Sequence, residues 1–193
     1  MLRELLVSLL SAGSVASLHA QATATATRRA DAQIGIGYSS VSPDYTQDRF
    51  NGIAGYGDYD FSMHFGVEGE FHYAKSPSKD PSVNPIYEKT YEIGGRYYRT
   101  YNRFVPYAKV LYGRGVFNFP YYKVQTSYNP PTYSYSPSAN LAYNLVAAGA
   151  GIDYQLTRIL NVRADYEYQR WLSFPNNGLT PSLLTFGIAY HFR

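Results

Sequence analysis

Cysteine is absent from the 193 residues, which excludes a disulfide scaffold and a thiolate metal site. Charge is scarce. Asp, Glu, Lys and Arg make up 16% of the chain, against about 25% in soluble domains. The net charge of +3 is scattered, with no Lys/Arg cluster, so no nucleic-acid partner is expected. No stretch beyond the N-terminal segment approaches the ~18 apolar residues of a transmembrane helix. Metal-ligand spacings, phosphate loops and nucleotide fingerprints are also missing. The reading therefore carries no cofactor, no metal and no catalytic residue.

Tyrosine is abundant, with 22 residues, and aromatics reach 17%. The tyrosine ring tolerates lipid while its hydroxyl seeks water or headgroups. Composition alone fits a soluble Tyr-rich β-sandwich and a membrane barrel equally. The N-terminus points to export. Met1-Leu2-Arg3 is a short basic start, residues 5–18 are apolar and small, and Ala20-Gln21-Ala22 offers an A-x-A cleavage site. Residues 1–22 are read as a secretory signal peptide and 23–31 as a flexible lead-in. Residues 32–193 then form one domain. If it enters a membrane, it must do so as a closed barrel, because every backbone group in lipid needs a partner.

Period-two alternation fills that domain. Val162, Ala164, Tyr166 and Tyr168 alternate with Arg163, Asp165, Glu167 and Gln169, which is a strand between two different solvents. Leu184, Phe186, Ile188, Tyr190 and Phe192 repeat the pattern against Thr185, Gly187, Ala189 and His191. Phe65, Val67, Phe71 and Tyr73 alternate with Glu68, Glu70 and His72. Weaker versions begin at Ile34, near residues 50–60 with Ile53 and Tyr59, at Tyr91, at Ala108 and at Val146. The sum is about eight strands of about ten residues, the length that crosses a bilayer when tilted. Short connections fall near 60–62, 101–103 and 155–159, and long ones at 40–49, 74–87, 118–140 and 172–181. Short turns on one side and long loops on the other mark an outer-membrane barrel. The expected fold is all-β, an eight-stranded antiparallel up-and-down transmembrane β-barrel, located in the outer membrane of a Gram-negative-type bacterium.

With the apolar faces outward, the other faces bring charge into a narrow lumen. Glu68, Glu70, Glu92, Asp153, Asp165 and Glu167 then face Arg96, Lys109 and Arg163 as an interior charge network. The turn near 155–159 should set Asp153 beside Arg163. An eight-stranded lumen has room only for side chains, so the network is read as a plug rather than a gated or proton-conducting path. The aromatics are expected in two interface girdles. Phe61, Tyr97, Tyr98, Tyr101, Phe104, Tyr107, Tyr154, Tyr190 and Phe192 lie near the short turns. Tyr38, Tyr73, Tyr87, Tyr112, Tyr143, Tyr168 and Trp171 lie near the long loops.

Three segments carry a family resemblance: Phe65-Gly66-Val67-Glu68-Gly69-Glu70, Gly149-Ala150-Gly151-Ile152-Asp153-Tyr154 and Gly187-Ile188-Ala189-Tyr190-His191-Phe192. With the overall pattern, they resemble the small outer-membrane barrels of the OmpA-transmembrane-domain and OmpX type, from about residue 32 to the end. The resemblance implies that Leu184, Phe186, Ile188, Tyr190 and Phe192 form the C-terminal signal read by the barrel-assembly machinery. That family usually ends on the aromatic, whereas here Arg193 follows.

The leading functional expectation is non-enzymatic: a structural or surface-contact, adhesion-like barrel with no large-solute pore. Its partners would be outer-membrane lipid and an extracellular ligand met by the long loops. Tyr121, Tyr122, Tyr128, Tyr133 and Tyr135 in loop 118–140 are the contact candidates. One alternative is a lipid-modifying enzyme such as a lipid A deacylase, which needs a His–Ser pair at the outer lipid interface. His64 and His191 fall near the short turns, and His72 falls near the outer rim without a Ser at the family's spacing. The other alternative is a narrow ion-conducting pore, in which Arg96→Ala or Lys109→Ala would raise conductance.

Overall fold

The computed structural model describes residues 31–44, 48–77, 86–118, 123–128, 131–135, 140–174 and 178–192, with backbone alone for 123–128, 131–135 and 140. Residues 1–30, with the expected signal peptide and nearly all of the lead-in, lie outside that set, as do Tyr121, Tyr122 and Arg193.

Ten strands follow one another: β1 (Asp31–Ser42), β2 (Phe50–Asp60), β3 (Phe65–Lys75), β4 (Tyr87–Tyr98), β5 (Phe104–Asn118), β6 (Lys123–Tyr128), β7 (Pro131–Tyr135), β8 (Asn140–Gln155), β9 (Leu160–Trp171) and β10 (Ser182–Phe192). Eight of them close into an antiparallel barrel in the order β1-β10-β9-β8-β5-β4-β3-β2. The sheet closes through eleven β1–β10 pairs, from Ala32 opposite Phe192 to Ser42 opposite Ser182. Closure leaves no unpaired edge for solvent, lipid or another chain.

Both ends of the described chain, at Asp31 and Phe192, sit at the short-turn end. The β4–β5 turn is tight there. Tyr101 N–H donates to Phe104 O at 2.7 Å, the reverse bond is 3.0 Å, and Asn102 takes the left-handed conformation at φ 56°, which asparagine tolerates best after glycine. Between β8 and β9, Thr157 Oγ1 accepts from Leu160 N–H at 3.0 Å. The opposite end carries the long connections. The longest, read from sequence as a plain loop, contains the β6–β7 hairpin, a separate two-stranded sheet with a register shift between Gln125 and Ser127. Beneath it, β5 and β8 pair over fifteen residues, from Phe104 opposite Tyr154 to Asn118 opposite Asn140. The β8–β9 ladder stops at Leu145 opposite Trp171, while β4 accompanies β5 as far as Tyr87 opposite Asn118, so at this end β8 runs on past β9.

The apolar faces point outward. Ile34, Ile36, Ile53, Ile93, Val110, Phe186 and Ile188 are exposed on the barrel wall, Ile36 at 69%. Exposed aromatics flank this belt: Phe61, Tyr101, Phe104, Tyr190 and Phe192 at the short-turn end, and Tyr38, Tyr112 and Tyr168 at the other. Four aromatics expected in the girdles point inward instead; one of them, Tyr143, shares the face of Leu145 and packs against the lumenal cluster. Tyr98 and Tyr107 are buried at the short-turn end and Trp171 at the long-loop end. Strand parity decides this: Tyr98 shares the face of Arg96, Tyr107 that of Lys109, and Trp171 that of Gln169.

Candidate functional site

Inward glycines make room for a lumen packed with large side chains. A Cβ on Gly35 would stand 2.3 Å from the Tyr56 ring, and one on Gly115 would stand 2.2 Å from the Trp171 ring. Either contact is impossible without movement, so glycine at these positions lets rings cross a narrow barrel.

From the short-turn end the lumen is filled in layers. A cavity of about 310 Å³ opens first, lined by Asp31, Gln33, Asp58, Asp60, Arg96, Asp153, Asn161 and His191 among others. His191 contacts Asp31 there. Above it lies a guanidinium layer. Arg163 Nε donates to Asp153 Oδ1 at 2.7 Å and Nη1 to Glu68 Oε1 at 2.7 Å, while Nη2 reaches Asp58. Its guanidinium lies 4.1 Å from the Tyr56 ring centroid and 4.8 Å from that of Tyr107. Arg96 reaches Asp153 at 3.1 Å, contacts Asp58 and stacks 4.4 Å from Tyr107. Next comes Lys109, whose Nζ lies 2.6 Å from Glu70, 2.8 Å from Asp165 and 2.9 Å from Glu167. Glu92 stands directly opposite Glu70 on the β3–β4 ladder and accepts from Thr90 at 2.6 Å and Gln169 at 2.7 Å.

All nine residues of the expected charge network are therefore buried inside the barrel. Asp153 is the direct ladder partner of Arg163. Sequence reasoning omitted Asp58, Glu88, His72, Tyr56, Tyr107 and Gln33 from the lumen. Asp58 shares the face opposite Ile53 and Tyr59, so parity alone would have found it. Tyr56 and Phe50 on the same inward face hid the contrast.

The long-loop end differs from the expected polar interior. Val41, Phe50, Ala74, Leu111, Phe117, Leu145, Ala147, Trp171, Leu179 and Leu183 form one buried apolar cluster. Leu179 belongs to the β9–β10 connection, which folds over the mouth: Trp171 N–H donates to Leu179 O at 2.8 Å, and Phe174 meets the Trp171 ring edge-on at 6.1 Å. His72, expected near the outer rim, faces inward beneath this cap. Ser39, distant in sequence, comes within 3.3 Å of His72 Nδ1, and Glu70 lies 3.3 Å from Nε2. A hydroxyl, an imidazole and a carboxylate are thus aligned, but all three are buried in the lumen, on the side of the wall away from lipid. His64 sits by the β2–β3 turn, against the ring of Tyr97.

Of the C-terminal set, Phe186, Ile188, Tyr190 and Phe192 are exposed on the outer wall and Leu184 is half-buried on the same face. Among the loop candidates, Tyr128 closes β6, and Tyr133 and Tyr135 lie in β7; Tyr121 and Tyr122 are outside the described residues. The outer rim carries more base than acid among the described residues, with Arg49, Lys75, Arg114 and Arg170 exposed and Lys89 partly so, beside exposed Asp44 and Asp48.

Residues 8–192 match the outer membrane protein beta-barrel domain family, and the chain belongs to it. It is thus a small outer-membrane β-barrel of OmpA-like type, embedded in the outer membrane of a Gram-negative bacterium. No curated protein matches the chain. Among solved structures, it is similar to Ail, the attachment invasion locus protein of Yersinia pestis, at 20% identity and TM-score 0.57, covering 86% of this chain and 100% of that one. Neisserial surface protein A is similar at 13% identity and TM-score 0.59, over 84% and 97%. OprG of Pseudomonas aeruginosa is similar at 16% identity and TM-score 0.56, over 85% and 96%. At such low identity, these superpositions show a common fold and nothing further.

Proposed function

We propose that this barrel is a non-enzymatic surface-contact protein, a sealed pedestal that holds its long loops outside the cell. The observation that carries this reading is the filled lumen. Ion-paired layers and an apolar cap occupy the interior, and the longest ladder, β5–β8, leads into the longest connection. A sealed interior supports display over transport. The buried setting of Ser39 and His72 argues against a lipid-modifying enzyme, since lipid has no approach to them.

The excess of base at the rim favours an anionic partner. Ail has been solved in complex with the heparin analogue sucrose octasulfate, which makes that polyanion a suitable first probe. Cells displaying the protein should bind heparin beads, and binding should fall at least about tenfold on replacing residues 119–139 by a short turn or on combining Arg114→Glu with Arg170→Glu. Equal binding by cells lacking the protein would sink the polyanion reading.

A further inference from the structure

The lumen holds more acid than its cations can balance. Asp58, Glu68, Glu70, Glu88, Glu92, Asp153, Asp165 and Glu167 are all buried, against Arg96, Lys109 and Arg163 as permanent cations. The excess is concentrated beside Lys109. Gln169 Nε2 donates to Glu92 at 2.7 Å and to Glu167 at 2.9 Å, and Lys109 Nζ lies 2.6 Å from Glu70 and 2.9 Å from Glu167, so the three carboxyls are crowded together. Carboxylates brought so close need a shared proton or a cation between them.

Beside Lys109 stands a group of side chains that could hold a cation. Glu70, His72 and Glu167 each present a ligand atom, and these atoms lie within 4.8 Å of one another. Glu92 is 5% exposed, and its Oε2 has no hydrogen-bond partner among the described residues. Glu88, four residues along the same strand face, is 2% exposed, and both its carboxylate oxygens lack such a partner. Burying anionic oxygens without partners is costly, so the free oxygen of Glu92, which stands opposite Glu70, points to a missing positive charge at the cluster. The imidazole is oriented for ligation: with its Nδ1 proton donated to Ser39 Oγ, the Nε2 lone pair faces Glu70, as in metal-bound histidines held by an outer partner.

We propose that the lumen binds one divalent transition-metal ion between β3, β4 and β9, ligated by His72 Nε2 and the carboxylates of Glu70 and Glu167, with Glu92 completing the set. One imidazole nitrogen with carboxylate oxygens suits Zn²⁺ or Mn²⁺ better than an oxygen-only Ca²⁺ site. The ion clips three strands together beneath the apolar cap. This site is independent of what the loops bind.

The test uses untagged protein extracted folded from outer membranes, unfolded in urea with chelator and refolded in detergent with Zn²⁺ as the only metal. After gel filtration, the expected result is about one zinc per barrel, falling at least about tenfold in His72→Gln and Glu92→Gln. The gel shift on boiling verifies that each variant is folded. Wild-type zinc no higher than in folded His72→Gln would overturn the proposal and leave protons as the balancing charge. Should His72→Gln not fold, Co²⁺ loaded into the wild type decides. A visible spectrum shifted from that of the aquo ion is expected, and an unshifted one would overturn the site.

Discussion

Replacing Arg163 by methionine removes the charge on which three buried acids converge. Methionine retains most of the side chain's length and apolar volume, so the loss is chiefly electrostatic. Asp153, Glu68 and Asp58 all lie against the guanidinium, the first two at 2.7 Å. Without it they share Arg96, which stands 3.1 Å from Asp153 and 3.7 Å from Glu68. Removing one partner from a buried ionic cluster costs about 3–5 kcal/mol, because the remaining charges stay desolvated and uncompensated. Loss of the stacking on Tyr56 and Tyr107 acts in the same direction. The assay is urea unfolding in lipid vesicles, followed by the emission of Trp171, the only tryptophan, and by gel shift on boiling. Arg163→Met should lower stability by about 3–5 kcal/mol. Adding Glu68→Gln should recover about 1–3 kcal/mol relative to additivity, as expected for directly coupled groups. A loss below about 1 kcal/mol, the worth of a hydrated surface pair, would refute the argument that this layer is dry and structural.

Other outcomes follow from the wall, the cap and the last strand. Ile188 is exposed on the wall opposite Ile36 and Val162, so Ile188→Arg should cost about 2–4 kcal/mol in vesicle unfolding, the midplane value for arginine facing lipid. Gly115→Val must displace the Trp171 ring; a red-shifted emission and a loss of about 1–3 kcal/mol are expected. Phe192→Ala should reduce the folded outer-membrane band in cells while leaving refolding of the purified chain in detergent nearly unchanged. Equal loss in both settings would mean that Phe192 serves stability rather than assembly.

Parity along the strands proved a better guide than side-chain chemistry. Arg163, Asp165, Glu167 and Gln169 alternate so regularly that their inward direction is readable without coordinates, and the same parity carries Trp171 into the lumen. Its aromatic character instead suggested an interface girdle, as it did for Tyr98 and Tyr107. Strand parity turns these rings inward, and glycines on other strands, Gly151 for Tyr107 and Gly115 for Trp171, leave space for two of them, a match that local sequence does not display. The apolar cap has the same origin: Leu179 and Phe174 come from a connection, and Phe50 and Val41 from strand ends, so no single segment announces it. The β6–β7 hairpin was obscured by its Pro, Ser and Tyr content, which reads as loop. The acidic cluster around His72 spans β3, β4 and β9, leaving only Glu70 and His72 adjacent on one face as a local sign.

The claim that the barrel is sealed is tested most directly by recording from the purified protein in a planar lipid bilayer at high salt. The account predicts a baseline without discrete conductance steps, because the guanidinium layer and the cap around Trp171 both close the lumen. Reproducible single-channel steps from the wild-type protein, altered by Arg96→Ala or Lys109→Ala, would contradict it and make this barrel a narrow pore.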